Sequence, residues 1–174
     1  TTNYILTKME KEGAEFDAVL KKAQELGYAE RDPSADIEGH DACRKIAILS
    51  SLMMGQNVDS EKLYTEGITG ITPEDFELAK AMGYTIKLLG CANMLSEDEV
   101  LAYVAPHLIK TDNPLAMVDD VFNAVMVTGN MLGDSMYYGR GAGKLPTASA
   151  VVSDVIDAAR HQGKTITCIW DGTP

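Results

Sequence analysis

Charged residues of both signs fall at spacings that suit proton transfer between positions 30 and 45. Glu30 precedes the motif Asp36-x-x-Gly39-x-Asp41-x-x-x-Lys45. Asp41 and Lys45 are four residues apart, so on a helix their side chains share one face. Lys45 comes directly before the most apolar stretch of the chain, and we therefore expect its ammonium at the edge of the core. A partly desolvated lysine beside a carboxylate can donate a proton, and the nearby acids can hold a substrate ammonium.

The same segment has a plainer interpretation. Acids at the start of a helix match its dipole, and an exposed lysine–aspartate pair stabilises a helix by only roughly 0.3–0.5 kcal/mol. His40 is a candidate base, or else an exposed residue at the start of a helix. Cys43 is a candidate reactive thiol, or else a small buried side chain.

A glycine-rich segment, GRGAGKLPT, occupies residues 139–147. Alternating glycines before a helix let the backbone approach a ligand closely, and the N-terminus of the helix favours an anion. The segment is not a P-loop, because Tyr138 and Leu145 stand where that motif requires Gly and Ser or Thr. Its G-x-G-x-G spacing is not the dinucleotide fingerprint either. The alternative is a tight turn from a strand into a helix.

Helices are predicted over residues 3–26, 39–54, 72–83 and 146–161, with a helical turn at 60–63 and a polar loop over 28–38. Thr72 followed by Pro73 and two acids is a strong helix start. The apolar residues of 46–54 extend almost all round the second helix, which predicts burial on several sides. We expect Met53, Met54, Met126 and Met131 to fill the core.

Strands are predicted over residues 66–71, 84–94, 100–109 (interrupted by Pro106), 121–129 and 165–170. Side chains alternate along 121–129, and Gly133 turns the chain into a hairpin partner at 135–138. The order of elements predicts an α+β fold, with a mixed, largely antiparallel sheet covered by helices. A single domain over residues 1–174 is the simplest interpretation.

The composition sets further limits. The chain has 174 residues, of which 45% are hydrophobic and 24% charged, as in globular proteins. Its net charge of −11 disfavours nucleic-acid binding, and no apolar run is long enough for a membrane span. The three cysteines and three histidines fall at no metal-binding spacing. The odd number and wide spacing of the cysteines suggest a reducing compartment. The first residues, which lack Met and a signal, look like the middle of a longer protein.

Four segments, in order and over nearly the whole chain, resemble homoserine dehydrogenase. They are T-T-N-Y-I-L-x-x-M, A-E-x-D-P-S-A-D-x-E-G-x-D-A-x-R-K-x-A-I-L, E-G-I-x-x-I-x-x-x-D and G-x-G-A-G-x-x-P-T-A-S-A-V-x-x-D. The resemblance implies a cytoplasmic oxidoreductase that interconverts L-aspartate 4-semialdehyde and L-homoserine with NAD(P)H, on the route to threonine, methionine and isoleucine. It also implies an N-terminal nucleotide domain, absent from this chain, and a substrate and dimerisation region, to which the chain corresponds.

The resemblance also assigns roles to residues. It puts Lys45 at the catalytic lysine and Asp41 at the acid that positions the substrate and that lysine. Glu30 and Asp36 fall at acids that suit the substrate ammonium, and Thr1 at the remnant of a Gly-Thr segment near the substrate.

For the cofactor, the resemblance puts Gly141 and Gly143 near the nicotinamide end of NAD(P)H, which the missing domain would mainly bind. Arg140 stands where many members have Pro. The monovalent-metal site of the family lies upstream of Thr1, so no metal is assigned to this chain.

We expect the chain to be inactive without the nucleotide domain and the whole enzyme to be a homodimer, with strand 121–129 pairing across a two-fold axis. The alternatives are a non-catalytic module that binds an amino acid and dimerises, and a related reductase with another aldehyde substrate.

Overall fold

The structure is a computed structural model and describes residues 1–141 and 143–164. These residues divide into two compact units. The first unit comprises residues 1–31, 70–87 and 107–151, and the second comprises 32–69, 88–106 and those from 152 onward. The elements are α1 (Thr2–Glu12), α2 (Phe16–Glu25), α3 (Ser34–Ile37), α4 (His40–Met54), β1 (Tyr64–Thr65), α5 (Pro73–Ala81), β2 (Tyr84–Met94), β3 (Val100–Lys110), β4 (Phe122–Gly129), β5 (Gly133–Arg140) and α6 (Lys144–Arg160), with 3-10 turns at Ser60–Lys62 and Pro114–Met117.

The strands form two sheets. One has the order β1-β3-β2, in which β1 pairs in parallel with β3, Tyr64 lying opposite Tyr103. β2 and β3 are joined by residues 95–99 alone, too few for a parallel crossover, so this pair is antiparallel. The other sheet is the antiparallel hairpin β4-β5, which runs from Phe122 opposite Arg140 to Gly129 opposite Gly133. The predicted α+β class with a mixed, largely antiparallel sheet is confirmed.

The first unit is built around α1, which packs against α2 and α5. Ile5, Leu6 and Met9 of α1 are at most 1% exposed. α5 begins with a full capping box, because the Thr72 hydroxyl accepts from the Asp75 N–H and the Asp75 carboxylate accepts from the Thr72 N–H. The predicted start of this helix is confirmed.

The single helix predicted over residues 3–26 is wrong. The chain leaves α1 at Gly13, whose φ of 61° is left-handed, and the Gly13 N–H closes the helix by donating to the Met9 carbonyl at 3.0 Å. A second helix then begins at Phe16. The loop predicted over 28–38 also contains a short helix, α3.

The strand predicted over residues 66–71 is wrong as well, since β1 ends at Thr65. The Glu66 N–H still donates to the Val104 carbonyl of β3 at 2.9 Å, but the Ile68 N–H donates to the Ile37 carbonyl at 2.8 Å. Gly67 lies so close to α3 that a Cβ would stand 2.1 Å from the Ile37 carbonyl oxygen. Other strand bounds agree closely with prediction, except that β3 continues through Pro106.

The burial predicted for α4 on several sides is wrong on much of the helix. α4 buries only its small side chains Cys43, Ala47, Ser50 and Ser51, which fit close against neighbouring segments. Four large apolar residues on its other side are 40–52% exposed, namely Ile48, Leu49, Leu52 and Met53. No described residue of α6 is buried, although its predicted apolar side comprises Ala148, Val151, Val152, Val155 and Ala159. Met131 is 94% exposed rather than in the core.

Three predictions near the C-terminal end need separate mention. Residues 139 and 140 of the glycine-rich segment belong to β5, so the loop between β5 and α6 is shorter than expected. α6 begins at Lys144, two residues before Pro146. The strand predicted over residues 165–170 lies outside the described residues.

Candidate active site

The first turns of α4 bring Asp41 and Lys45 together, as their four-residue spacing predicts. Lys45 Nζ lies 2.6 Å from Asp41 Oδ2, and the side chains are 70% and 44% exposed. The expected position of Lys45 at the edge of the core is wrong: it projects from the exposed face of α4, opposite the buried Cys43 and Ala47. Water screens such a pair, so it contributes little to stability. The ammonium is therefore accessible to a ligand.

The turn that precedes α4 is sterically fixed. Gly39 caps the helix with a left-handed φ of 84°, and its N–H donates to the Asp36 carbonyl at 3.0 Å. A Cβ on Gly39 would lie 3.2 Å from the Glu66 carbonyl oxygen. Together with the close approach of Gly67 to Ile37, this packing holds α3 against the start of α4. The second unit thus carries Asp36, Asp41 and Lys45 on one short, tightly packed corner.

Thr1 and Glu30 belong to the first unit. Thr1 Oγ1 donates a 2.6 Å hydrogen bond to the Tyr28 carbonyl, and the Tyr28 ring meets the Tyr4 ring edge-on at 5.1 Å. Two residues later, the carbonyl of Glu30 accepts from Gln24 Nε2 at 3.0 Å, and its side chain is exposed. The first turn of α1 therefore sets the path of the acidic segment that carries Glu30.

The same turn of α1 lines a small pocket. Its walls are Thr1, Asn3, Tyr4, Tyr28 and residues 120–123, and its volume of about 20 Å³ is room for one water molecule. Asn123, in this wall, approaches Gly141 so closely that a Cβ on Gly141 would lie 2.6 Å from Asn123 Nδ2. Sequence analysis did not single out Tyr28 or Asn123, although Tyr28 stands only two residues before Glu30.

Backbone conformation explains why one of the two candidate cofactor positions is occupied by glycine. Gly143 has a φ of 112°, a conformation that residues with a side chain rarely adopt, and its carbonyl accepts from the Thr147 N–H in the first turn of α6. A Cβ on Gly141 would displace the exposed side chain of Asn123 rather than any backbone atom. The tight strand-to-helix turn that we gave as the alternative is therefore present, and a nucleotide role for these residues stays a prediction.

A buried ion pair, which sequence analysis missed, ties β2 to the segment before β4. The Lys87 side chain is 5% exposed, and its Nζ lies 3.1 Å from Asp119 Oδ1. Lys11 contacts the other oxygen, Asp119 Oδ2, at 2.5 Å. Burial alone would raise the pKa of Asp119, but the hydrogen bonds from Lys11 and Lys87 outweigh it and lower that pKa below its usual value. The signal in the sequence was a lysine inside an apolar strand, between Ile86 and Leu88.

His40 and Cys43 lie on a different face of α4 from Lys45. They border an open groove of about 410 Å³ with Arg44, Ser60, Glu61, Leu63 and Thr65. His40 Nε2 is 3.1 Å from Glu38 Oε2 at the exposed start of the helix, and the buried Cys43 thiol donates to the Ser60 carbonyl. Both residues thus fit the plainer of their two interpretations.

Residues 1–141 and 143–164 contain no group of three side chains placed to hold a metal ion. In the same residues, no helix has the length and apolarity that crossing a bilayer requires.

Comparison with known proteins gives consistent matches. The family model for homoserine dehydrogenase matches residues 1–156, a range that includes all the candidate residues above. A homoserine dehydrogenase from Synechocystis is 55% identical over 160 residues, which are 90% of this chain and 37% of that protein. The crystal structure of one from Thiobacillus denitrificans superposes with a TM-score of 0.88 at 44% identity, over 99% of this chain and 42% of that one.

A third match comes from a hyperthermophilic archaeal homoserine dehydrogenase, a mutant in complex with NADPH. It has a TM-score of 0.70 at 34% identity, and the match covers 91% of this chain and 44% of that one. The chain thus spans well under half the length of the relatives that it matches.

Proposed function

The chain belongs to the homoserine dehydrogenase family, and from this membership we propose that it is the substrate-binding part of an enzyme that interconverts L-aspartate 4-semialdehyde and L-homoserine. The observation that carries the proposal is the exposed Lys45–Asp41 pair at 2.6 Å, which presents a proton donor with a fixed counter-ion.

In this proposal, Lys45 donates or accepts the proton of the reaction, depending on its direction. During reduction its ammonium donates a proton to the aldehyde oxygen as the hydride reaches the carbonyl carbon, so the C=O becomes CH–OH and Lys45 is left neutral. In the reverse direction the neutral amine accepts the hydroxyl proton. The ammonium also stabilises the negative charge that develops on the oxygen.

Asp41 keeps that ammonium in place. It accepts one of the three protons of Lys45 Nζ, which leaves two for the substrate oxygen and for solvent. Because both side chains belong to one helix, the donor is oriented before the substrate arrives, which lowers the entropic cost of the reacting geometry.

The remaining acids suit the amino group of the substrate. We propose that Glu30 and Asp36 bind its α-ammonium, and that the Thr1 segment lies beside the substrate. Carboxylates that bind an amino-acid cation supply the negative charge that its ammonium requires. The net charge of the whole chain, −11, acts in the same direction.

We propose that the segment around Gly141 and Gly143 lies at the flat nicotinamide end of NAD(P)H rather than at its phosphates. It offers backbone and small residues for close approach, without the glycine fingerprint that binds a pyrophosphate. When bound, NAD(P)H supplies the hydride. We propose that regions outside this chain provide most of its binding energy, so the chain alone is inactive.

We further propose that the whole enzyme is a cytoplasmic homodimer of amino-acid biosynthesis, on the route to threonine, methionine and isoleucine, with no nucleic-acid or membrane partner.

The first test compares Lys45→Ala with Lys62→Ala in the full-length parent enzyme. Lys62 is an exposed lysine paired with Asp59 on the same unit, so it controls for the loss of a surface charge. We expect Lys45→Ala to lower kcat for semialdehyde reduction at least about 10²-fold, the usual scale for a general acid. Lys62→Ala should stay near the wild-type rate, and the 174-residue chain alone should show no turnover.

Three outcomes would contradict parts of the proposal. Near-normal kcat in Lys45→Ala would remove that residue from the chemistry. Turnover by the isolated chain would show that the cofactor site is wrongly placed. If calorimetry shows that the parent protein binds homoserine but it turns over no aldehyde, a non-catalytic amino-acid-binding module is favoured instead. Measuring turnover with a series of aldehydes separates the enzyme from reductases that act on other substrates.

A further inference from the structure

The buried Lys87 has no part in the chemistry proposed above. Its Nζ donates to three acceptors: the Val118 carbonyl at 2.7 Å, Asp119 Oδ1 at 3.1 Å and Asn3 Oδ1 at 3.4 Å. These use all three protons of the ammonium. A buried lysine is costly unless it is paired and fully hydrogen-bonded, and such a group then favours one arrangement of its partners over others.

The partner that connects this cluster to the candidate substrate site is Asn3. Lys87 holds the amide oxygen, which directs the amide nitrogen the other way, toward the Asp120 carbonyl at 3.3 Å and the Phe122 carbonyl at 2.9 Å. The hydroxyl of Thr7, one turn along α1, accepts from the Asp120 N–H at 3.0 Å. The first two turns of α1 are thus bound to the segment that enters β4.

That segment is held in an unusual conformation. Asp120 has a φ of 54°, the only positive φ among the described residues other than glycine. An aspartate in this region is strained and persists only where its surroundings impose it. Here the hydrogen bonds from Asn3 and to Thr7 impose it, and both partners lie on α1.

The two segments joined in this way both line the pocket that contains Thr1 and Tyr28. One wall is the first turn of α1 and the other is residues 120–123, where Asn123 contacts Gly141. We propose that Lys87 is a positioning residue, which fixes the amide of Asn3 and thereby the spacing between these walls. This proposal rests on the proposed function, which puts the substrate beside Thr1.

The test uses two lysines that share one carboxylate. Lys87 and Lys11 both pair with Asp119, but only Lys87 also contacts Asn3. In the full-length parent enzyme, we expect Lys87→Met to raise KM for aspartate semialdehyde about ten-fold, with a smaller change in kcat, because a misplaced wall weakens substrate positioning. Lys11→Met should leave KM within about two-fold of the wild-type value.

A second variant covers the case in which Lys87→Met does not fold. Asn3→Ala keeps the Lys87–Asp119 pair but removes the amide that joins Lys87 to residues 120 and 122, and it should raise KM to a similar extent. An unchanged KM in either folded variant, or an equal rise in Lys11→Met, would overturn the positioning role alone. A wild-type parent enzyme that fails to reduce the semialdehyde would overturn both proposals.

Discussion

At the scale of single residues, a contact could be predicted only where the two residues that form it lie close together in the sequence. Asp41 and Lys45 are one helical turn apart, so their pairing follows from spacing alone. The pairing of Lys87 with Asn3 joins residues 84 positions apart, and no local pattern reports such a contact. The exposure of Lys45 was missed for the same reason, because it depends on which segments pack against α4.

Asp119 makes one residue-scale prediction about pH. Its pKa is lower in the folded protein than in the unfolded chain, so the stabilisation is fully present above the unfolded value, near pH 4, and is lost as the pH falls through the folded value. Asp119→Asn should therefore lower the free energy of unfolding by about 1–3 kcal/mol at pH 7. The difference from wild type should shrink toward pH 3.

Urea denaturation across that pH range measures the effect. The exposed Asp112, in the turn after β3, supplies the control variant Asp112→Asn, which should follow the wild-type curve. A constant difference between Asp119→Asn and wild type at all pH values would contradict this account.

At the scale of elements, helix limits that local chemistry signals were mostly predicted well, whether they were starts or ends. The Thr72–Asp75 box and Gly55 mark the true limits of α5 and α4, because a capping hydrogen bond or a left-handed glycine acts within a few residues. Gly13 carries the same kind of signal, yet the apolar stripe on both sides of it suggested one continuous helix. β1 escaped prediction because two residues of parallel pairing leave no periodic pattern.

The capping box gives an element-scale prediction. Thr72→Ala removes the hydroxyl that accepts from the Asp75 N–H, and it should cost about 1 kcal/mol and lower Tm by about 2–4 °C. Thr69→Ala, an exposed threonine three residues earlier, is the control and should leave Tm unchanged. Equal Tm values for the two variants in calorimetry would show that the cap contributes nothing measurable.

At the scale of the whole molecule, the order of elements predicted the fold class. It did not predict which apolar residues would be exposed. The hairpin alternates as predicted: Phe122, Ala124 and Met126 are half-buried, and Asn123, Val125 and Val127 are exposed. Tyr137, directly opposite Val125, extends that outer face and is 72% exposed. An apolar face of this kind is typical of surfaces that associate.

The matching prediction concerns the oligomeric state of the full-length parent enzyme. We expect light scattering at micromolar concentration to give twice the protomer mass, and Val127→Lys to shift the enzyme toward monomer because it introduces a charge on the outer face of β4. Leu78→Lys, on the exposed side of α5, is the control and should remain dimeric. A wild-type monomer would contradict the prediction.

The spacing of Asp41 and Lys45 on α4 has one more consequence. The distance between their Cα atoms is set by the backbone hydrogen bonds of a 15-residue helix rather than by contacts between distant segments. Whenever the helix shifts, the two residues therefore move together. A movement of α4 can then change the distance between a ligand and Lys45 while Asp41 remains beside the lysine as its counter-ion.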